Sequence, residues 1–373
     1  MSTSFKLVTE YFDRAYDLEK RRFKGKTVVE RNAQRRFIYS AVQDCAEADF
    51  QQLQRKYQFE ELTKFLKCES YKRGLLATLY DTVRGFLVLL AFLGGLFPIG
   101  LLSFLSRIVI NPILRYVFRV SEQHMPCYKI FAPLIGEALA SLTGAEVVVS
   151  GDEHLAHVKK EPERYIGMFS HGANLDPFVV MQGVGSKVSF LWTYKHSLLY
   201  LPGGLVLGYG IGQEDGAMNR SNREKAIQTC DRLAKSPLPP MVAPEGTRSK
   251  TGLILPELKK GVFYVQKDRS ARIVPIVVIG NYELWPPGRP MPKMGRVQIS
   301  ILPPMDVPAD EAQDVTRERV RQAYIKESAR DFGDLNRVST RFLLKHFLVW
   351  IPFWLCSLYL MFLAITSALS RVL

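Results

Sequence analysis

Cysteine is scarce and scattered in this chain. Its five cysteines, Cys45, Cys68, Cys127, Cys230 and Cys356, form no CxxC pair and stand near no histidine cluster. An odd, widely spaced set argues against a disulfide framework or a zinc site, so no metal is expected and a reducing, cytosol-facing setting fits. Acidic residues are outnumbered, 36 against 50 basic ones, which leaves a net charge of +14. A basic chain that is also 47% apolar is suited to an anionic surface, nucleic acid or membrane. No RNA- or DNA-binding signature accompanies the charge, so the expectation is no nucleic acid and a lipid bilayer as partner. The opening MSTSFKLVTEYFDRAYDLEKRRFKGK has acids and no apolar core, so it is not read as a secretory signal. The closing SRVL matches no common retention or lipidation tail. Repeats and low-complexity tracts are also lacking.

Two stretches lack charge. Residues 85–106 read GFLVLLAFLGGLFPIGLLSFLS and residues 347–370 read FLVWIPFWLCSLYLMFLAITSALS. Each is long enough to cross a hydrocarbon core of ~30 Å. The second carries Trp350, Trp354 and Tyr359, with Arg341 and Lys345 before it and Arg371 after it. The positive excess on its N-terminal side places that side in the cytosol. The first is broken by Gly94, Gly95 and Pro98 and has balanced basic flanks. A kinked re-entrant hairpin or interfacial pair suits it as well as a span does. The preferred arrangement has only the second stretch crossing. Residues 1–80 read as polar helices, and their basic run from Lys20 to Arg36 fits either a solvated face or contact with anionic head groups.

Between the two stretches the pattern is α/β. Short β-branched runs recur at 145–150, 165–170, 188–194, 240–243, 272–280 and 296–302. Helical stretches separate several of them. Ser221 to Glu224 has the form of a capping box opening a helix, and residues 257–268 read as another. Continuous apolar strands alternating with helices predict an α/β fold: a largely parallel sheet with helices on both faces. The expected regions are a polar N-terminal part (1–80), a membrane-embedded or re-entrant helical segment (81–120), the α/β domain (121–335) and a C-terminal transmembrane helix (336–373).

Two stretches carry chemistry. In IGMFSHGANLDPFVV an apolar run stops at His171, and Asp176-Pro177 follows. Asp at N-cap and Pro at N1 would start a helix. A histidine at a strand end is where open α/β sheets place reactive groups. Across a strand-loop-helix turn the two side chains can meet, and a carboxylate on one imidazole nitrogen leaves the other as a base. On this stretch alone, capping and catalysis are equally good readings. In VAPEGTRSKTG another apolar run meets Glu245, Gly246, Thr247 and Arg248. Gly246 lets backbone approach a ligand, and the Arg248 fork suits phosphate oxygens.

Together these residues resemble the glycerolipid acyltransferases of the 1-acyl-glycerol-3-phosphate acyltransferase family, over roughly residues 145–305. The H-x4-D block matches His171 and Asp176, and the EGTR block matches Glu245 to Arg248. GAMNRSNREKAI loosely matches the intervening block and gives Arg220. RIVPIVVIG matches the last block and gives Pro275, a residue for the acyl acceptor or for structure. Lys195 resembles the family's lysine between the first two blocks, and Lys260-Gly261 resembles its Lys-Gly helix after EGTR. Ser170 and Ala173 depart from the usual Asn and Ser around the histidine, and a polar insertion, GQED, precedes the Arg220 block.

The resemblance implies a membrane-bound O-acyltransferase. It would pass a fatty acyl group from acyl-CoA, a co-substrate rather than a cofactor, to lysophosphatidic acid, giving phosphatidic acid. His171 would be the general base and Asp176 its orienting carboxylate. Glu245, Gly246, Thr247, Arg248, Arg220 and Lys195 would bind substrate, with backbone N–H groups near Gly172 or Gly246 facing the oxyanion. No acyl-enzyme is needed, since no G-x-S-x-G nucleophile elbow is present. Alternatives are a glycerol-3-phosphate or other lysophospholipid acceptor, or a non-catalytic lipid binder. The expected setting is integral to the endoplasmic reticulum membrane, with the catalytic domain facing the cytosol.

Overall fold

The computed structural model describes residues 75–372, apart from 92–95, 249–253, 256, 286, 288–290, 329, 331, 333–334 and 336. The readings of Lys20–Arg36, Gly94 and Gly95 therefore lie outside the described residues. The main helices are α1 (Leu75–Leu90), α2 (Phe97–Tyr116), α3 (Ala132–Leu142), α4 (Asp176–Gly183), α5 (Arg223–Lys235), α6 (Lys260–Asp268), α7 (Gln313–Ser328) and α8 (residues 340–372). The strands are β1 (Ala145–Ser150), β2 (Tyr165–Phe169), β3 (Leu191–Trp192), β4 (Tyr194–Lys195), β5 (Ala217–Met218), β6 (Pro240–Val242), β7 (Arg272–Ile279) and β8 (Gly295–Ile301).

Six strands form one sheet in the order β1-β8-β7-β2-β6-β3. All neighbours run parallel except β7 and β8. The chain between those two is proline-rich, and its described residues hold one short helix, Asn281–Leu284. That is too little for the crossover a parallel pair needs. Burial on both faces explains the continuous apolar runs. On β7, Val274, Ile276 and Val278 join a core with α3 and α4, while Ile273, Val277 and Ile279 join a second core with α5, α6 and α7.

Pro275 stands mid-strand in β7, where proline is rare. Its carbonyl accepts from the Leu302 N–H at 2.9 Å, one residue past the end of β8. In an extended chain a residue's N and carbonyl face the same edge, so the missing N–H faces a fraying ladder end. The structure thus uses Pro275, buried in the sheet, as a structural residue.

Some local expectations shift. The α5 cap is Asn222, whose side chain accepts from the Lys225 N–H at 2.9 Å, so the capping-box register moves by one from Ser221. The helix expected from residue 257 begins at Lys260. β3 is only two residues long, and the Gln213 side chain takes its outer edge: Oε1 accepts from the Trp192 N–H at 2.7 Å and Nε2 donates to the Phe190 carbonyl at 3.3 Å. Gln213 belongs to the GQED insertion.

The uncharged stretch 85–106 is not one segment. α1 ends at Leu90 and α2 begins at Phe97, with Pro98 in its first turn rather than at a kink. Among the described residues, Phe97–Tyr116 and Thr340–Ala364 are the two helices long and apolar enough to cross a membrane. Arg107 lies midway along the first and forms a two-pronged pair with Glu214 of the insertion. It also donates to the Tyr209 carbonyl at 3.1 Å. The start of α8 is tied to α3: Lys345 pairs with Glu137, and Trp354 Nε1 donates to the Ala138 carbonyl at 3.3 Å. Trp350 and Trp354 are consequently buried against the domain rather than offered to lipid, whereas Leu355, Tyr359, Leu360 and Phe362 stay exposed.

Candidate active site

β7, β2 and β6 are adjacent and parallel, so their C-terminal ends share one edge of the sheet. His171 follows β2, Glu245 follows β6 and Asn281 follows β7. This is the edge where open α/β sheets gather ligands.

The loop after β2 is stitched to its neighbours. Ser170 donates its N–H to the Ile276 carbonyl at 3.0 Å, and its hydroxyl oxygen accepts from the Val278 N–H at 2.9 Å. The departure from the family's asparagine thus anchors the β2 end on β7. His171 Nδ1 lies 2.9 Å from Asp176 Oδ2, which also accepts the Ala173 N–H at 2.8 Å. Asp176 Oδ1 accepts from Asn281 Nδ2 at 2.5 Å. The Asp176 side chain is fully buried, while His171 keeps 18% of its side-chain surface open. Leu175, not Asp176, caps α4, since its carbonyl accepts the first helical N–H groups. Asp176 is the first helical residue, and its carboxylate turns back to the loop instead of capping. Of the two readings open at the sequence level, the structure favours the histidine partner.

The turn after β6 divides its labour. Glu245 is 1% exposed, and its oxygens accept the His171 N–H at 2.8 Å and the Leu255 N–H at 3.1 Å. It holds the protein together rather than facing a substrate, which corrects its expected binding role. Burial pushes its carboxyl up to about 8, against the pull of the two N–H donors, with the nearby Asp176 charge adding to the rise. Gly246 has a φ of 69°, and its N–H donates to the Ala243 carbonyl at 3.0 Å, so that N–H is not free for an oxyanion. A Cβ there would lie 2.7 Å from Lys259 Cγ.

Thr247 and Arg248 are exposed beyond this turn. Arg248 Nη1 donates to the Asn174 side-chain oxygen, and Arg220 Nη1 donates to the Gly246 carbonyl. Arg220 is therefore brought to the EGTR turn. Lys195 is exposed on β4, in register with Met218 of β5, which sets it on the strand pair leading to Arg220. Pro275 is the expected site residue that the structure places inside the sheet, opposite Met168, rather than at this edge. Among the described residues, no group of three or more His, Cys, Asp or Glu side chains is placed to hold a metal ion.

Asn281, Asn174 and Lys259 join the site without having been read from the sequence. Asn281 sits immediately after the RIVPIVVIG block, and Asn174 lies inside the H-x4-D block. Those positions were the available signals.

No family model matches the chain. It is 29% identical over 218 residues to a 1-acyl-sn-glycerol-3-phosphate acyltransferase of Saccharomyces cerevisiae, covering 57% of this chain and 66% of that protein. It is 26% identical over 224 residues to one from Limnanthes douglasii, covering 56% of this chain and 73% of that protein. Among solved structures it is similar to the 1-acyl-sn-glycerophosphate acyltransferase PlsC of Thermotoga maritima, with a TM-score of 0.53 and 21% identity over 69% of this chain and 99% of that one. The structural likeness shows a shared fold. The ordered sequence blocks and the curated relatives add a likeness in sequence to that shared fold, and both point to the glycerolipid acyltransferase family.

Proposed function

We propose that the protein transfers a fatty acyl group from acyl-CoA to the free hydroxyl of lysophosphatidic acid, giving phosphatidic acid and CoA. The observation that carries this reading is the 2.9 Å contact between His171 Nδ1 and buried Asp176, set beside a turn bearing two arginines. With Nδ1–H held by the carboxylate, Nε2 keeps the lone pair a base needs. The acceptor hydroxyl loses its proton to Nε2 as its oxygen attacks the thioester carbonyl. The tetrahedral intermediate then collapses, the carbon–sulfur bond breaks, and the imidazolium returns the proton to the CoA sulfur. Asp176 stabilises the imidazolium between those steps. The Gly172 N–H, adjacent to His171, is the donor offered to the oxyanion.

Arg248 and Arg220 are the phosphate ligands. Each rests on a neutral oxygen, and a phosphate gives a stronger, charge-assisted partner. Lys195 and Thr247 complete the acceptor side. The curated relatives' names support the acceptor, and the family resemblance implies the acyl-CoA donor, whose thioester carbonyl suits attack by a base-assisted hydroxyl. The two apolar helices support a protein held at the bilayer, with α8 crossing it and the catalytic region on the cytosolic side.

In the test, purified protein is given acyl-CoA and lysophosphatidic acid, and free CoA is measured. Release is expected, with a fall of ~10²–10⁴-fold in His171→Ala. Full activity in that variant, shown to be folded, removes His171 as the base.

A further inference from the structure

We infer that Asn281, which lies outside the four sequence blocks, is a positioning residue: its buried amide fixes the Asp176 carboxylate that orients His171. The inference rests on the proposed chemistry of His171 but is testable without it.

Three observations carry it. First, the acceptors are divided. Asp176 Oδ2 takes both the His171 Nδ1 contact at 2.9 Å and the Ala173 N–H at 2.8 Å, while Oδ1 faces the Asn281 amide at 2.5 Å. A carboxylate that swung about its Cβ–Cγ bond would lose all three contacts together. An ionised carboxylate only accepts, so Asn281 must present its NH₂. Second, the amide is locked in place. Asn281 is 3% exposed and starts the turn Asn281–Leu284 after Gly280, whose φ is 86°. A Cβ at Gly280 would lie 2.9 Å from the Arg296 carbonyl oxygen. Third, this turn clasps the histidine loop. The Trp285 carbonyl accepts from the Asn174 N–H at 3.2 Å, and Trp285 donates its own N–H to the Asn281 carbonyl at 3.0 Å. A Cβ on Gly172 would come within 3.2 Å of Asn281 Nδ2, so a glycine there leaves room for the amide.

Among the described residues, the following charged and titratable groups lie around the pair. Glu245 faces it from the β6 turn through the His171 N–H, and the Glu245 charge acts in turn on Tyr324 of α7. Arg248 approaches through Asn174, and Arg220 lies behind Gly246. Replacing the Asn281 amide with a carboxyl adds an acid at Asp176 with almost no change of shape. Once the pair has lost the proton it shares, its second negative charge stabilises protonated His171. Its titration moves to higher pH.

The experiment uses the full-length protein in detergent. The rate at which diethyl pyrocarbonate modifies His171 is followed against pH, with His171→Ala as the background. Asn281→Asp is expected to raise the midpoint of that rate by one pH unit or more. The acid limb of acyl transfer should rise with it. Asn281→Ala, which removes the donor and adds no charge, is expected to lower kcat by ~10–100-fold with KM for acyl-CoA within twofold. Equal midpoints in wild type and Asn281→Asp overturn the inference, as does an unchanged kcat in Asn281→Ala. If Asn281→Asp does not fold, the kcat–KM split of Asn281→Ala decides alone. Shifted midpoints in a protein that releases no CoA would keep the positioning role and refute the acyltransferase reading.

Discussion

The two sides of the site are built on opposite principles. On the His171 side every polar atom that fixes geometry is buried, and Asp176 has donors on both oxygens. On the arginine side the cations are exposed and rest on single neutral oxygens, the Asn174 amide and the Gly246 carbonyl. Chemistry requires a geometry that does not move, so its partners are saturated and dry. The binding role proposed for the arginines requires partners that give way to a ligand, and these cations are exposed and held by neutral oxygens. Glu245 joins the sides, gripping the His171 backbone from within the EGTR turn.

Breaking the rigid side has the largest expected effect. Asp176→Asn keeps the volume but cannot hold the Nδ1–H tautomer, and kcat should fall roughly 10³–10⁴-fold with KM for the acceptor little changed. A rise in KM without a fall in kcat would erase the contrast between the sides. Breaking the adaptable side is milder. Arg248→Ala loses a charge-assisted contact of ~1.5–3 kcal/mol, so KM for lysophosphatidic acid should rise ~10–100-fold with kcat nearly intact. Arg248→Lys should recover only part of that, because an ammonium cannot reproduce the fork. If lysophosphatidylcholine proves the better acceptor in competition, Arg248 does not read a phosphate monoester.

The smallest effect tests the joint. The Glu245 carboxyl is raised in the folded protein to about 8 from an ordinary 4.5. Its contribution to stability is therefore full below about pH 4.5 and is lost as pH rises through about 8. Denaturant midpoints of the wild type should decline across that window, and those of Glu245→Gln should decline less. A wild-type-minus-variant difference that is equal at both ends would show that Glu245 keeps its charge.

Much of this was legible before any coordinates. Apolar β-branched runs are visible because each strand is buried on two faces, and His171, Asp176 and the EGTR turn stand at fixed spacing next to such runs. The antiparallel β7–β8 pair was harder to read, yet its signal was present: residues 280–294 are too proline-rich to hold a crossover helix. Asn281 could not be read because its partner Asp176 is 105 residues away and the fold alone brings them together. Glu245 was misassigned for a related reason. A carboxylate in a binding motif reads as a ligand until its burial is known. Trp350 and Trp354 lie in a stretch long enough to span, but the packing of its start on α3, which buries them, could not be read from the stretch alone.

The edge of the sheet at β3 has a consequence beyond catalysis. A strand of two residues at a sheet margin would ordinarily leave main-chain groups facing outward, a template on which another chain can add. Here one amide side chain, Gln213, offers an acceptor to Trp192 and a donor to Phe190, as a neighbouring strand would. The GQED insertion thus serves as a hem: a single residue pairs the outward main-chain groups of Phe190 and Trp192.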